Sequence, residues 1–266
     1  LQSFNPKKTE ARDLIFGHPK QLESLEEAQQ ESQVVLSPSK RFTFGHCDTI
    51  GRRENMEDAM VIVGSFRDRD NEDLFCVFDG HYTDKSSLFA SQHLPAILEK
   101  KLEESGGDVE KSLRDAFLAT NEEMRKQKVS GGTTAVVAYI VDHTLYVANV
   151  GDSRCLIGRV APLSLDRESN KTIPNKTKKS EKEEIVIERL SVDHCIENKE
   201  ERRRVLELGG FFVGRYLQGR LNMTRALGDR HLSPFLISDP SISVTRLNKN
   251  DRFLVVACDG LFERFR

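Results

Sequence analysis

At 266 residues, with 38% hydrophobic content and 15 Phe, the chain can fill one large core or two small ones. Forty basic against 42 acidic residues leave a formal charge of −2, which excludes a global field drawing the chain to nucleic acid or an anionic membrane. Its longest apolar runs reach about six residues against the roughly 18 that a bilayer span needs, and no signal-like apolar region opens it, so a soluble protein is expected.

Cys47, Cys76, Cys155, Cys195 and Cys258 are odd in number and form no C-x-x-C pair. They read as free thiols of a reducing compartment, hence an intracellular protein, cytoplasmic with the nucleus left open. The chain starts at Leu1 and stops at Arg266, seven residues past Asp259 and within an element, so a fragment is expected.

Residues 1–40 read as a leader or linker, partly helical around Gln21–Gln30 and broken at Ser37-Pro38-Ser39. From Arg41 the pattern is β: Arg41–Cys47 alternates with Phe42 and Phe44 on one side, and Val61-Ile62-Val63 forms a second strand. Arg67–Asp73 is a charged loop leading into the buried run Leu74-Phe75-Cys76-Val77-Phe78, which ends in Asp79-Gly80-His81. Two helices follow. The first, Ser86–Leu102, is bent or interrupted at Pro95 and ended by Gly106-Gly107; the second, Glu110–Lys128, lines up Leu113, Phe117, Thr120 and Met124 on one face.

Strand patterns resume at Gly131–Val141 and at Leu145–Val150, which runs into Gly151-Asp152; Ser153–Gly158 continues the meander. The stretch 164–184 is a Lys/Glu/Ser/Asn-rich insertion, too polar to fold alone, with Lys176, Lys178 and Lys179 as a lesser docking candidate. After strand-like Glu184–Leu190, Asn198–Leu208 is a helix opened by Asn198-x-x-Glu201, burying Val205 and Leu208 and stopping at Gly209-Gly210. Phe211–Ile237 is loop-rich, and Asp251–Ala257 is a last buried run ending in Cys258-Asp259-Gly260.

Buried strands that end in Asp79, Asp152 and Asp259 form the skeleton of a carboxylate-rich site. Oxygen donors without a Cys or His cluster select hard cations, Mg²⁺ or Mn²⁺. Two ions held roughly 3.5–4 Å apart by Glu57, Asp79 and Asp259 would suit phosphoester hydrolysis. Arg53 is a bidentate phosphate donor, and His81 a proton donor to a leaving alkoxide. Each residue taken singly has a plainer role in a turn or surface ion pair, so the residues alone reach a divalent-metal hydrolase and no further.

Longer stretches carry a resemblance. Gly51-Arg52-Arg53-Glu54-Asn55-Met56-Glu57-Asp58-Ala59 resembles the R-x-x-M-E-D motif of the metal-dependent protein serine/threonine phosphatases, the PP2C (PPM) family. Val77–His81 resembles its V-F-D-G-H motif and Ser130–Ala135 its G-[ST]-T-A strand. Val147–Arg154, Leu190–His194, Glu207–Gly210, Thr224–Asp229 and Ala257–Gly260 match further motifs in the family's order.

The resemblance implies an α+β fold in residues 41–266: a β-sandwich of two antiparallel sheets flanked by helix pairs, in α-β-β-α layers. It implies a protein phosphatase that hydrolyses phosphoserine and phosphothreonine of protein substrates through a water activated by two Mn²⁺ or Mg²⁺ ions. Asp79 would bridge the ions, Glu57 and the Gly80 carbonyl would complete one site, and Asp259 would join the other. Asp152 would share a weaker third ion with Asp259, Asp58 would orient the ligands, Arg53 would hold the phosphate and His81 would act as general acid. The loop Phe211–Leu221 and the insertion stand where the family carries its flap.

Two departures stand out. Tyr82-Thr83 replace the usual Gly-Gly after the histidine, and the family's last Asp-Asn motif would lie beyond Arg266. A regulatory pseudophosphatase, or a chain disabled by truncation with a pairing or swapped sheet edge, is the alternative to an active enzyme.

Overall fold

The structure, a computed structural model, describes residues 33–161 and 184–263. Its centre is an eight-stranded sheet in which β1 (Gln33–Ser37), β2 (Asp58–Gly64), β3 (Glu72–His81), β5 (Ala135–Val141), β6 (Thr144–Val150) and β12 (Ser241–Arg246) lie side by side. The short β4 (Gly132–Thr133) joins the end of β3 and pairs with β11 (Leu227–Gly228). A second sheet orders β13 (Asp251–Ala257), β7 (Arg154–Val160) and β8 (Ile185–Arg189). Between β8 and β13 come α3 (Lys199–Glu207) and a hairpin of β9 (Phe212–Val213) and β10 (Tyr216–Leu217).

The continuous apolar runs exist because the central strands are buried on both faces. Leu74, Cys76 and Phe78 of β3, Ala135, Val137 and Tyr139 of β5 and Ala148 and Val150 of β6 pack beneath the helices α1 (Lys85–Glu104) and α2 (Val109–Lys126). The alternate residues Val77, Val136, Ala138, Ile140, Leu145 and Val147 face Cys155 and Ile157 of the smaller sheet and Leu190 just beyond it, with Leu254 and Val256. The α+β sandwich expected from the sequence is therefore observed, with one helix pair on one outer face. Among the described residues no second pair covers the other face; α3 packs in a third cluster, where Val205 meets Leu217, Leu221, Met223 and Leu232.

Helix α2 forms as its spacing requires. Asp108 caps it by accepting from Lys111 N, and Leu113, Phe117, Thr120 and Met124 are all buried. Pro95 does not interrupt α1: its exposed neighbour Ala96 and buried Leu94 and Leu98 continue one helix, which ends at Ser105 before Gly106 and Gly107 in left-handed conformations.

Three expectations are corrected. Arg41–Cys47 is not a strand: the Ser39 hydroxyl accepts from the amides of Arg41 and Phe42, and the Arg41 side chain reaches Asp73 and the carbonyls of Ile140 and Asp142. Within the supposed leader, Gln33–Ser37 is β1, paired parallel to β2, the one parallel strand pair of the large sheet among the described residues; the helical reading of 21–30 lies outside the described residues. Leu208 is exposed, whereas Val205 is buried. Asn198 does cap α3 through Glu200 N and Glu201 N, but the Glu201 carboxylate is drawn inward to Arg204, Thr224 and Arg225 instead of back to the cap. Most of the insertion, with its lysines, lies outside the described residues.

Candidate active site

Alternating strand direction sets the start of β2 beside the end of β3, and the end of β6 and the end of β13 at the same edge of the sandwich. The β2–β3 register places Asp58 directly opposite Asp79. One residue earlier, the Glu57 carbonyl accepts from Gly80 N at 3.1 Å and from the Ser87 hydroxyl. A Cβ on Gly80 would collide with that carbonyl, so this position requires glycine.

Thr134 ties the aspartate turns together. Its amide donates to Asp79 O at 2.9 Å, its hydroxyl accepts from Asp79 N at 3.1 Å, and the same hydroxyl meets Ser153 Oγ at 2.7 Å, one residue past Asp152. Gly151, at φ 92, lets the chain turn against the Thr134 side chain and present Asp152. Three strand ends are thereby locked to one another by hydrogen bonds that involve no carboxylate oxygen.

The carboxylates repel. Burial first, then the charges of Asp58, Asp259 and Asp152, push the Asp79 carboxyl up to about 9. Asp152 is pushed up to about 6 by burial and by Asp259, while Asp58 and Asp259 are raised chiefly by burial. Asp152 Oδ1 is buried with no hydrogen-bond partner, and Asn222 reaches Oδ2 only at 3.4 Å. Arg53 and Arg215 oppose these charges at Asp259. A half-buried group of acids with an orphaned oxygen fits divalent cations, which would neutralise it and satisfy that oxygen.

Ligand atoms of Asp58, Asp79 and Cys258 lie within 4.8 Å of one another, while Glu57, Asp152 and Asp259 are outside that closest group. Cys258 was not expected there. Its thiol is held protonated by burial and donates to Asp58 Oδ2 at 3.5 Å, which makes it a donor orienting Asp58 and leaves the cation preference with oxygen.

His81 stands at the end of β3 with Nε2 against Asp229 Oδ2, and Asp229 is buried. A Cβ on Gly132 would strike both atoms, so the strand beneath the pair must be glycine there. Asp229 stands in the Thr224–Asp229 motif, but sequence alone gives it no such role, because its partner is 148 positions away. Arg53 is exposed, and its charge is felt at Asp259.

A family description, protein phosphatase 2C, matches residues 42–266. The chain belongs to that family. A protein phosphatase 2C homolog 2 of Hypocrea jecorina is 32% identical over 91% of this chain and 54% of its own length. A probable protein phosphatase 2C 22 of Arabidopsis thaliana is 30% identical over 83% and 56%. The chain thus spans about half the length of the curated relatives it matches. Among solved structures, a C. elegans sex determining protein aligns with TM-score 0.66 at 25% identity, covering 81% of this chain and 51% of that one. The serine-threonine phosphatase 2C of Toxoplasma gondii has TM-score 0.66 at 20% identity over 82% of this chain and 77% of its own, a likeness of fold.

The carboxylates of this PP2C domain make its metal-free stability depend on pH. A folded carboxyl raised to about 9 binds a proton that the unfolded chain has lost, so stability falls as pH rises from the ordinary carboxylate range through about 9. Buried His194, held down to about 4 by burial and Arg225, acts oppositely below its ordinary value of 6.5. Between about pH 6.5 and 9 the raised Asp79 lowers stability as pH rises, and the buried thiols, raised by burial, add in the same direction toward pH 9. In EDTA the melting temperature is expected to fall across that window, and saturating Mn²⁺ to abolish the fall; a flat metal-free profile would contradict it.

Proposed function

We propose that this PP2C domain is a protein phosphatase that hydrolyses phosphoserine and phosphothreonine esters of protein substrates, using two Mn²⁺ or Mg²⁺ ions and a weaker third. The observation that carries the reading is the convergence of Asp58, Asp79, Asp152 and Asp259 at one sandwich edge, their carboxyls all raised by burial and by one another's charge. The relatives' names, protein phosphatase 2C, support it. Bound divalent ions would supply an acidified water and screen the phosphoryl charge. No helix among the described residues is long and apolar enough to cross a membrane, and five free cysteines support an intracellular, cytoplasmic or nuclear, setting.

Asp79 would hold both ions, Glu57 and the Gly80 carbonyl one of them, Asp259 the other, and Asp152 with Asp259 the third. Asp58, fixed by the Cys258 thiol, orients Asp79 across the strand pair. Arg53, exposed and with its charge felt at Asp259, would take the phosphoryl oxygens as a bidentate donor. Nε2 of His81 is held by Asp229 and Nδ1 is buried without a hydrogen-bond partner; opened to a bound ester, the ring would deliver its proton to the leaving serine or threonine oxygen.

The test is phosphate release from a phosphothreonine peptide in Mn²⁺ and in EDTA. Release in Mn²⁺ alone is expected. Arg53→Ala should lower kcat/KM about 10–100-fold, the worth of a charged hydrogen-bonded contact. Asp229→Asn should lower kcat about 10²-fold with KM little changed, since it acts on the proton donor and not on the phosphate. A folded protein that releases no phosphate at saturating Mn²⁺ would turn the reading to a regulatory pseudophosphatase.

A further inference from the structure

Tyr82 follows His81 at the exit of β3 in a left-handed conformation, φ 68, which a non-glycine residue adopts only at a conformational cost. Such strain persists where the surroundings hold it, and two contacts do so here. The Tyr82 ring stands edge-on to His81, with centroids 5.5 Å apart and planes at 74°. The Tyr82 hydroxyl donates to the Arg220 carbonyl at 3.3 Å, a residue 138 positions away. Even so, 59% of the side chain faces solvent.

Arg220 lies in the return of the β9–β10 hairpin, where Leu217 and Leu221 exchange backbone hydrogen bonds through a turn with left-handed Gln218 and Gly219. That hairpin also exposes Phe211, Val213 and Tyr216. Its turn carries Arg215, whose charge is felt at Asp259 across the cleft. The Tyr82 ring therefore adjoins the site on the side of His81, where the leaving oxygen and its polypeptide would stand, and its hydroxyl ties that ring to the hairpin.

We propose that Tyr82 is a specificity-determining residue: its hydroxyl latches the hairpin 211–221 to the end of β3, and its exposed ring is the wall on which polypeptide flanking a phosphorylated residue packs. This rests on the phosphopeptide reading above. The wall touches what flanks the phosphate and not the phosphate itself, so it separates a peptide from a small phosphate compound. The ring, being planar and rigid, offers that surface with little ordering loss.

Two measurements that need no turnover decide it. Hydrogen exchange of the 211–221 amides is compared among the parent, Tyr82→Phe and Tyr82→Gly. Fluorescence anisotropy then follows, in Mn²⁺, a labelled peptide carrying a phosphonate in place of the phosphothreonine ester, competed by phenylphosphonate. Tyr82→Phe is expected to speed exchange severalfold in 211–221 alone. Tyr82→Gly, which relieves the left-handed strain and so remains folded, should weaken the peptide about tenfold and phenylphosphonate less than twofold. The proposal is overturned if exchange in 211–221 is unchanged, if peptide and phenylphosphonate weaken together, or if the parent binds no peptide. Tight peptide binding by a parent that releases no phosphate would count against the phosphatase reading and leave the Tyr82 wall standing.

Discussion

Asp79→Asn is expected to lower Mn²⁺-dependent phosphate release by at least about 10³-fold while raising the melting temperature of the metal-free protein. Both effects have one origin. Asp79 sits at the rigid end of β3, opposite Asp58 and in the field of Asp152 and Asp259, and burial with these charges pushes its carboxyl up to about 9. Without a cation the folded protein must hold a proton there at neutral pH; asparagine removes that demand and leaves the backbone bonds to Thr134 intact. Opposite signs for activity and metal-free stability mark a site built for a ligand, since a purely structural aspartate would lose both. Phosphate release within tenfold of the parent, or a lower metal-free melting temperature, would remove Asp79 from the centre of the site.

Glu201→Ala is expected to destabilise the protein by about 3–5 kcal/mol, the usual penalty for stripping a buried charge of its partner. Glu201 is buried on α3 and receives the guanidinium of Arg225 at 2.6 and 3.0 Å, Arg204 at 3.0 Å and the Thr224 hydroxyl at 2.8 Å. Despite burial, these donors hold its carboxyl down to about 2, so its contribution is whole above the ordinary carboxylate range and is lost as pH falls toward 2. Removing it leaves two arginines uncompensated beneath the segment that delivers Asp229 to His81. Urea melts of the parent and the variant at pH 7 measure the difference; less than about 1 kcal/mol would show that solvent reaches and pairs the arginines.

What could be read from the sequence was what short-range pattern determines. The spacing of Leu113, Phe117, Thr120 and Met124 announces α2, and apolar runs closing on Asp79, Asp152 and Asp259 announce strands that carry acids to one edge. What could not be read was decided at long range. β1 is only Gln33-Val34-Val35-Leu36-Ser37, and it becomes a strand because β2 offers it an edge. Arg41–Cys47 has strand alternation, yet Ser39 and the reach of Arg41 toward Asp73 settle it as an irregular crossing.

The same holds at the site. The stretch Thr224–Asp229 is conspicuous as a motif, but its roles are spatial: Thr224 and Arg225 satisfy Glu201, Gly228 N binds the Asn121 side chain, and Asp229 meets His81. Cys258 reads from the sequence as a free thiol at the end of the last apolar run and proves to be the donor to Asp58. Tyr82 was visible as a departure from the family pattern, and its consequence required the fold that brings Arg220 to its hydroxyl.

Calorimetric titration of metal-free protein with Mn²⁺ at pH 7 tests whether the carboxylate cleft holds divalent cations through Asp79. Repeating the titration in buffers of different ionisation heat counts the protons released. Saturable Mn²⁺ binding with net proton release is expected, because raised carboxyls must give up their protons to bind the ion, as is loss of that binding in Asp79→Asn. A folded parent that binds no Mn²⁺, or a parent and Asp79→Asn with the same isotherm, would contradict it.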